Sequence, residues 1–235
     1  MTTLPLAIIG LGRMGHAVAQ LAPERDFTVV ARLGRGAVIT PDSLNGAAVA
    51  IEFTEPTAAV ANVRACLRAR CPVVTGTTGW YDELPSLKQE VRARGGALLA
   101  APNFSLGVAV FTHLAAEAAR RFASLPGFDA HLVEIHHSAK KDAPSGTAAA
   151  LARAAGSARG APIPITSVRM GSVPGAHELI FDAPFEQVRL VHEARDRRVF
   201  AEGALAAARW LVGREGIFTM DDVIASSDLP STSQR

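Results

Sequence analysis

The sequence predicts an α/β chain in two parts. A doubly wound parallel sheet fills the first half, and a smaller α+β region with a mixed or antiparallel sheet follows it. Three observations carry this. Up to about residue 104, short apolar runs alternate with helical, Ala-rich runs, the pattern of parallel strands covered on both faces. Beyond that point apolar and polar residues alternate singly, as in strands with one covered face. Hydrophobic residues make up 49% and charged residues 20% of 235, enough for a core in one large domain or two modest ones.

Taken in order, Leu6-Ala7-Ile8-Ile9 is a short buried strand, Gly10 to Gly15 a Gly-rich turn, and Met14 to Leu21 a helix. Phe27 to Val30 and Val49 to Phe53 are the second and third strands. Pro56, favourable at a first helical position, opens an Ala-rich helix to Arg70. Val73-Val74-Thr75 is the fourth strand, a helix runs from about Asp82 to Arg94, and Ala97 to Ala100 is the fifth strand. A long helix from about Val108 to Ala123 follows. The stretches His131 to Ile135, Ile163 to Met170, His177 to Ala183 and Glu186 to His192 then alternate as strands. A helix from about Phe200 to Val212, with Phe218 and Val223 beyond it, is apolar enough to pack back on the first region. The expected division is therefore residues 1–104 completed by 198–235, and a second domain over 105–197.

Net charge is +2, too small to argue for nucleic acid, and the basic residues are scattered apart from runs such as Arg195-Asp196-Arg197-Arg198. Cys66 and Cys71 form neither a Cys-x-x-Cys pair nor a disulfide framework, so reduced thiols in the cytosol are expected. The start, Met1-Thr2-Thr3-Leu4-Pro5, lacks the basic flank of a secretory leader, and no apolar stretch is long enough to span a membrane. The Ser- and Thr-rich end from Ser226 to Arg235 reads as frayed.

Gly10-Leu11-Gly12-Arg13-Met14-Gly15 fits G-x-G-x-x-G between a buried strand and a helix, which points to a Rossmann-type dinucleotide site. Gly10 permits the tight turn, Gly12 lets a pyrophosphate approach the backbone, and Gly15 lets helix meet strand. The residue that reads the ribose belongs about 20 positions on. No Asp or Glu stands in Val30-Ala31-Arg32-Leu33, and the Arg32 guanidinium suits a 2′-phosphate, which favours NADPH over NADH. Gly76-Thr77-Thr78-Gly79 and Pro102-Asn103-Phe104-Ser105 follow strands four and five, where ligands of an open parallel sheet sit.

The most informative stretch is Glu134 to Ala148. His136, His137, Lys140, Lys141 and Asp142 fall within seven positions, and Pro144 then leads through Ser145-Gly146-Thr147 into an Ala-rich helix. A helix start presents unpaired N–H groups and a partial positive charge, which suits an anion. Two imidazoles and two ammonium groups beside it suggest a small, negatively charged molecule that also needs a proton moved. One of these residues suffices to cap a helix; folding does not require the rest. A metal held by His136 and His137 is not expected, because adjacent residues in an extended segment point apart.

Read as E-x-H-H-x-x-K-x-D-A-P-S-G-T-A, this stretch resembles the signature of the 4-hydroxy-tetrahydrodipicolinate reductase (dihydrodipicolinate reductase) family of lysine and diaminopimelate synthesis. Gly12-Arg13-Met14-Gly15, Phe53-Thr54, Gly76-Thr77-Thr78-Gly79, Ala101-Pro102-Asn103-Phe104-Ser105, Arg169-x-Gly171 with Gly175-x-His177, and Arg197 to Ala201 agree in order and rough spacing. The first glycine turn is one residue shorter than in many members, and the acidic residue many carry after the second strand is absent.

The resemblance implies roles. His136 matches the proton donor and Lys140 the second catalytic residue. His137, Ser145, Gly146 and Thr147 would hold a substrate carboxylate. Gly10, Gly12, Arg13 and Met14 would hold the dinucleotide phosphates. Phe53, Gly76, Thr78, Ala101, Asn103 and Phe104 would line the path from adenosine to nicotinamide. The implied substrate is a cyclic imine dicarboxylate, reduced by NADPH or NADH in the cytoplasm by a homotetramer with no metal. Hinges at Asn103 to Ser105 and Arg195 to Phe200 are expected where the chain crosses between domains. The His136-His137, Lys140 and Ser145-Gly146-Thr147 run argues against a different nicotinamide oxidoreductase such as an amino-acid dehydrogenase, and His136 with Lys140 argues against a nucleotide sensor, which needs no proton donor.

Overall fold

The structure, a computed structural model, describes residues 3–226. The end from 227 onward and the first two residues, on which the expectations about the termini rest, lie outside the described residues. In chain order the elements are β1 (Leu4–Ile9), α1 (Arg13–Leu21), β2 (Phe27–Leu33), α2 (Pro41–Leu44), β3 (Val49–Glu52), α3 (Pro56–Arg68), β4 (Val73–Thr75), α4 (Leu84–Arg94) and β5 (Ala97–Ala100). There follow α5 (Leu106–Phe122), β6 (Asp129–His136), α6 (Gly146–Arg159), β7 (Ile165–Arg169), β8 (Ala176–Ala183), β9 (Glu186–Glu193), α7 (Arg198–Leu211), β10 (Gly216–Phe218) and α8 (Met220–Ala225). Two compact units result: one runs to Leu106 and resumes at Phe200, and the other is Gly107–Val199.

The first unit holds a six-stranded parallel sheet in the order β10-β5-β4-β3-β1-β2. Leu6, Ala7, Ile8, Val49, Ala50, Ile51, Val73, Val74, Leu98 and Leu99 are wholly buried. Runs apolar on both faces dictate this, since a strand between two helical layers has no polar side to show. β1 lies between β2 and β3, so the winding reverses direction there and leaves a crevice at the carboxyl ends of these three strands. Helix boundaries follow local chemistry: Pro56 sits in the first turn of α3, and Gly95 closes α4 at φ +58°.

The second unit holds a mixed sheet in the order β7-β6-β8-β9, with β6 and β7 parallel and the other pairs antiparallel. Phe111, Ala115 and Ala119 of α5 and Ala148, Leu151 and Ala155 of α6 pack on Ala130, Leu132, Leu179 and Phe181 of the sheet. Burial alternates along β6, so Ala130, Leu132, Glu134 and His136 face the helices. The inner face is thus apolar at one end and carries a carboxylate and an imidazole at the other. No helix among the described residues is long and apolar enough to cross a membrane.

Candidate active site

In the first unit the glycine turn is built by close approach. Gly10 has φ +96°, and a Cβ on it would lie 2.0 Å from the Phe53 carbonyl oxygen. A Cβ on Gly15 would lie 1.9 Å from the Gly10 oxygen. Gly12 differs: nothing stands within 4 Å of where its Cβ would be. It is the N-cap of α1, with no side-chain cap and no acidic residue in the first turn. The positive end of α1 therefore opens on empty space, a cradle that fits a dinucleotide pyrophosphate. The adjoining cavity of about 460 Å³ is lined by Gly10, Gly12, Leu33, Arg35, Phe53 and Asn62 among others.

Arg13, exposed, and Met14, half-buried, follow in the first turn of α1. Arg32 does not line the cavity. β2 continues to Leu33, and since Leu33 lines the cavity, the alternation of strand side chains turns the exposed Arg32 to the other face. The cation at the cavity is Arg35, on the loop after β2, whose Nη2 lies 3.2 Å from Glu55 Oε2. Gly76, at the end of β4, carries the Phe53 ring: a Cβ there would lie 2.0 Å from Phe53 Cε1. Phe53 meets Phe104 edge to face at 5.8 Å. Ala101 and Phe104 are buried, Thr78 is exposed, and Asn103 Oδ1 accepts the Ser105 N–H at 2.8 Å. Glu52, wholly buried at the end of β3, accepts from Thr75 Oγ1 at 2.6 Å, from Thr54 Oγ1, and from Asn62 Nδ2 at 3.3 Å, fixing two residues of the cavity wall.

In the second unit His136 ends β6 with its Nδ1–H donated to Glu134, two residues back on the same face. Arg169, opposite His136 on β7, donates Nη2 to Glu134 Oε1 at 2.6 Å and to the Asp142 carbonyl at 2.6 Å. Burial pushes the Glu134 carboxyl up, but hydrogen bonds from Arg169 and Ser167 and the neighbouring His136 bring it down to about 2. Burial also pulls His136 below its ordinary value; Glu134 opposes this, while Lys140 and Arg169 add to it. Gly175 makes room for the ring, since a Cβ there would lie 2.9 Å from His136 Nε2.

His137, just past the end of β6, is half-buried, and Arg197 Nη2 approaches its Nε2 at 2.8 Å. Ser145 caps α6, its Oγ accepting the Ala148 N–H at 3.1 Å. Lys140 and the Gly146 N–H converge on one carboxylate, that of Asp142: Nζ lies 2.8 Å from Oδ1 and 3.0 Å from Oδ2, and both donors hold Asp142 below the usual carboxylate range. Thr147 follows in the first turn of α6. Of the donors expected to hold an anion, the Gly146 N–H thus already meets Asp142, and the Ser145 N–H donates to Glu134 Oε1 at 3.4 Å.

Glu134, Arg169, His177 and Arg197 stand in the matching motifs but carry no role in the sequence reading; pairing of β6 with β7 and β8 brings Arg169 and His177 beside Glu134, and Arg197 reaches His137 from the segment after β9. Glu134, His136 and His177 place three possible metal ligands within 4.8 Å of one another. The Arg169 guanidinium on Glu134, with Lys140 nearby, makes the setting one for anions instead.

Family models agree with this architecture. That for the N-terminus of dihydrodipicolinate reductase matches residues 4–104, and that for its C-terminus matches 107–224. A 4-hydroxy-tetrahydrodipicolinate reductase of Christiangramia forsetii is 36% identical over 94% of this chain and 97% of its own. One of Xanthomonas campestris pv. campestris is 39% identical over 95% of this chain and 100% of its own. A solved structure, dipicolinate-bound dihydrodipicolinate reductase from Paenisporosarcina sp. TG-14, shares the fold at TM-score 0.79 and 22% identity, covering 93% of this chain and 98% of that one.

Proposed function

The chain belongs to the dihydrodipicolinate reductase family and reduces 4-hydroxy-tetrahydrodipicolinate in lysine biosynthesis; from that premise we propose how its own residues carry the reaction. The observation that carries the proposal is the His136–Glu134–Arg169 chain beside Lys140 and the start of α6. The first unit is the dinucleotide-binding domain, and the second binds substrate and forms the oligomer.

The glycine turn, Arg13 and Met14 hold the cofactor phosphates, and Phe53, Gly76, Thr78, Ala101, Asn103 and Phe104 line the rest of its path. NADPH is preferred to NADH, supported by Arg35 at the cavity and by Gly34 and Gly36 where an acidic residue would reject a 2′-phosphate. Reduced nicotinamide, when bound, supplies the hydride.

One substrate carboxylate takes the donors of Ser145, Gly146 and Thr147 with His137 alongside, displacing Asp142 from Lys140 and the Gly146 amide. Loss of water from the hydroxylated ring gives the conjugated imine, and addition of hydride to it leaves an electron-rich enamine that must gain a proton. His136 delivers it from Nε2, because Nδ1–H is committed to Glu134. The bound dicarboxylate counters the effect of burial on the ring, since nearby negative charge favours the imidazolium. Lys140 stabilises charge that develops on the ring nitrogen.

Val133, Ile135, Ile180 and Val191 lie on the sheet face opposite the helices, and Phe185 in the β8–β9 turn is fully exposed. This uncovered apolar face supports a homotetramer, for which light scattering gives four chain masses and a monomer mass contradicts it. The cytoplasm is the expected compartment, as for the reduced, buried Cys66 and Cys71.

The direct test follows NADPH and NADH oxidation with substrate made in situ by a dihydrodipicolinate synthase. Turnover is expected with both and faster with NADPH. Arg35→Ala lowers the NADPH-to-NADH ratio of kcat/KM roughly tenfold, the worth of one charge-assisted contact. Absence of turnover with NADPH binding intact would sink the reductase assignment.

A further inference from the structure

Ser145 carries one hydroxyl proton. Its oxygen is committed to α6 through the Ala148 N–H at 3.1 Å, so the direction of that proton is set by whatever else meets Oγ. That partner is His177, whose Nε2 lies 3.4 Å from Ser145 Oγ. His177 is on β8, paired across from Glu134 on β6 and from His192 on β9, and is only 4% exposed. The His136 and His192 rings flank it, with centroids at 5.3 and 6.4 Å. Its Nδ1 is buried with no hydrogen-bond partner among the described residues.

A buried imidazole between two others and near an ammonium group stays neutral and carries a single N–H. If that hydrogen is on Nδ1, Nε2 accepts the Ser145 proton and draws it inward, away from a ligand; a buried N–H is also left without an acceptor. If it is on Nε2, His177 donates to Ser145 Oγ. Both oxygen lone pairs are then filled, the hydroxyl proton points out, and the unpartnered Nδ1 is a bare lone pair, the milder of the two losses.

We propose that His177 is a positioning residue for the substrate carboxylate: its Nε2–H, donated to Ser145 Oγ, aims the Ser145 hydroxyl proton at the anion bound at the start of α6. The role rests on the reading that a substrate carboxylate binds there. His177 acts only through Ser145 and touches no reacting atom, so its loss weakens binding and spares the chemical step.

The test is a double-mutant cycle on the full chain with a direct readout of the tautomer. His177→Phe, similar in shape but without a donor, raises KM for substrate roughly tenfold with kcat within about threefold of wild type. Ser145→Ala does the same, and the double variant is no worse than Ser145→Ala alone. ¹⁵N chemical shifts of His177 in the unmutated protein at neutral pH show the proton on Nε2. A proton on Nδ1, an unchanged KM in His177→Phe, or multiplying effects in the double variant overturns the proposal, and the shift measurement decides even if the Phe variant does not fold. If Ser145→Ala itself leaves KM unchanged, the failure lies with the carboxylate site and not with His177 alone.

Discussion

At His136, burial and a neighbouring carboxylate pull in opposite directions. Burial wins, leaving the ring below its ordinary value in the absence of ligand, while Glu134 keeps it from falling further. Glu134 does this as an anion because Arg169 and Ser167 hold its charge. Replacing Glu134 with Gln removes the one group that raises His136. The acid form then exists only at lower pH. A general acid works below its pKa and loses activity as pH rises through it, so the falling limb of kcat/KM moves to lower pH in Glu134→Gln. At pH 7 kcat drops by about ten- to a hundredfold. A limb that stays in place would show that Glu134 does not govern the ring. His136, Lys140 and Ser145 are legible in sequence because they share one local run. Arg169 and His177 are visible as motif residues, but their place beside Glu134 is not, since β6 pairing with β7 and β8 sets it and no local spacing encodes that pairing. Arg32 is expected at the ribose from the sequence because three further strand residues in β2, Ala31 to Leu33, are not visible in a short apolar run.

Among the elements, the β1–α1 turn separates two uses of glycine. Gly15 is required by packing, whereas Gly12 meets no neighbour and is assigned to a ligand in the proposed function. Gly15→Ala pushes a methyl into the Gly10 carbonyl and lowers the thermal midpoint, at a cost of about 1–3 kcal/mol for overpacking. Gly12→Ala meets nothing and leaves the midpoint within a degree or two, yet weakens NADPH binding by tenfold or more as the methyl fills the phosphate cradle. Thermal unfolding beside cofactor titration checks both, and a midpoint loss in Gly12→Ala would contradict the distinction. Most strands and helices were legible from periodicity, Pro56 and Ser145. The three-residue β10 was not, because unlike the equally short β4 it opens on Gly216 and has no continuous apolar run, and it forms by pairing with β5. α2 escaped for the same reason, four residues held by reciprocal bonds between Thr40 and Ser43.

For the molecule as a whole, the parallel sheet supplies a crevice where its winding reverses at β1, and the mixed sheet supplies an inner face that turns from apolar to ionic at one end. Fold class was legible because burial on two faces and on one face write different patterns. The proposed chemistry divides accordingly, with phosphate cradling assigned to the first unit and proton delivery and carboxylate capture to the second. The central claim is that His136 donates the proton. It is tested most directly by kcat of His136→Gln beside wild type, with Kd for NADPH measured on the same samples. The expected result is a loss in kcat of about a hundredfold or more with Kd unchanged. A kcat within a few-fold of wild type would contradict the account.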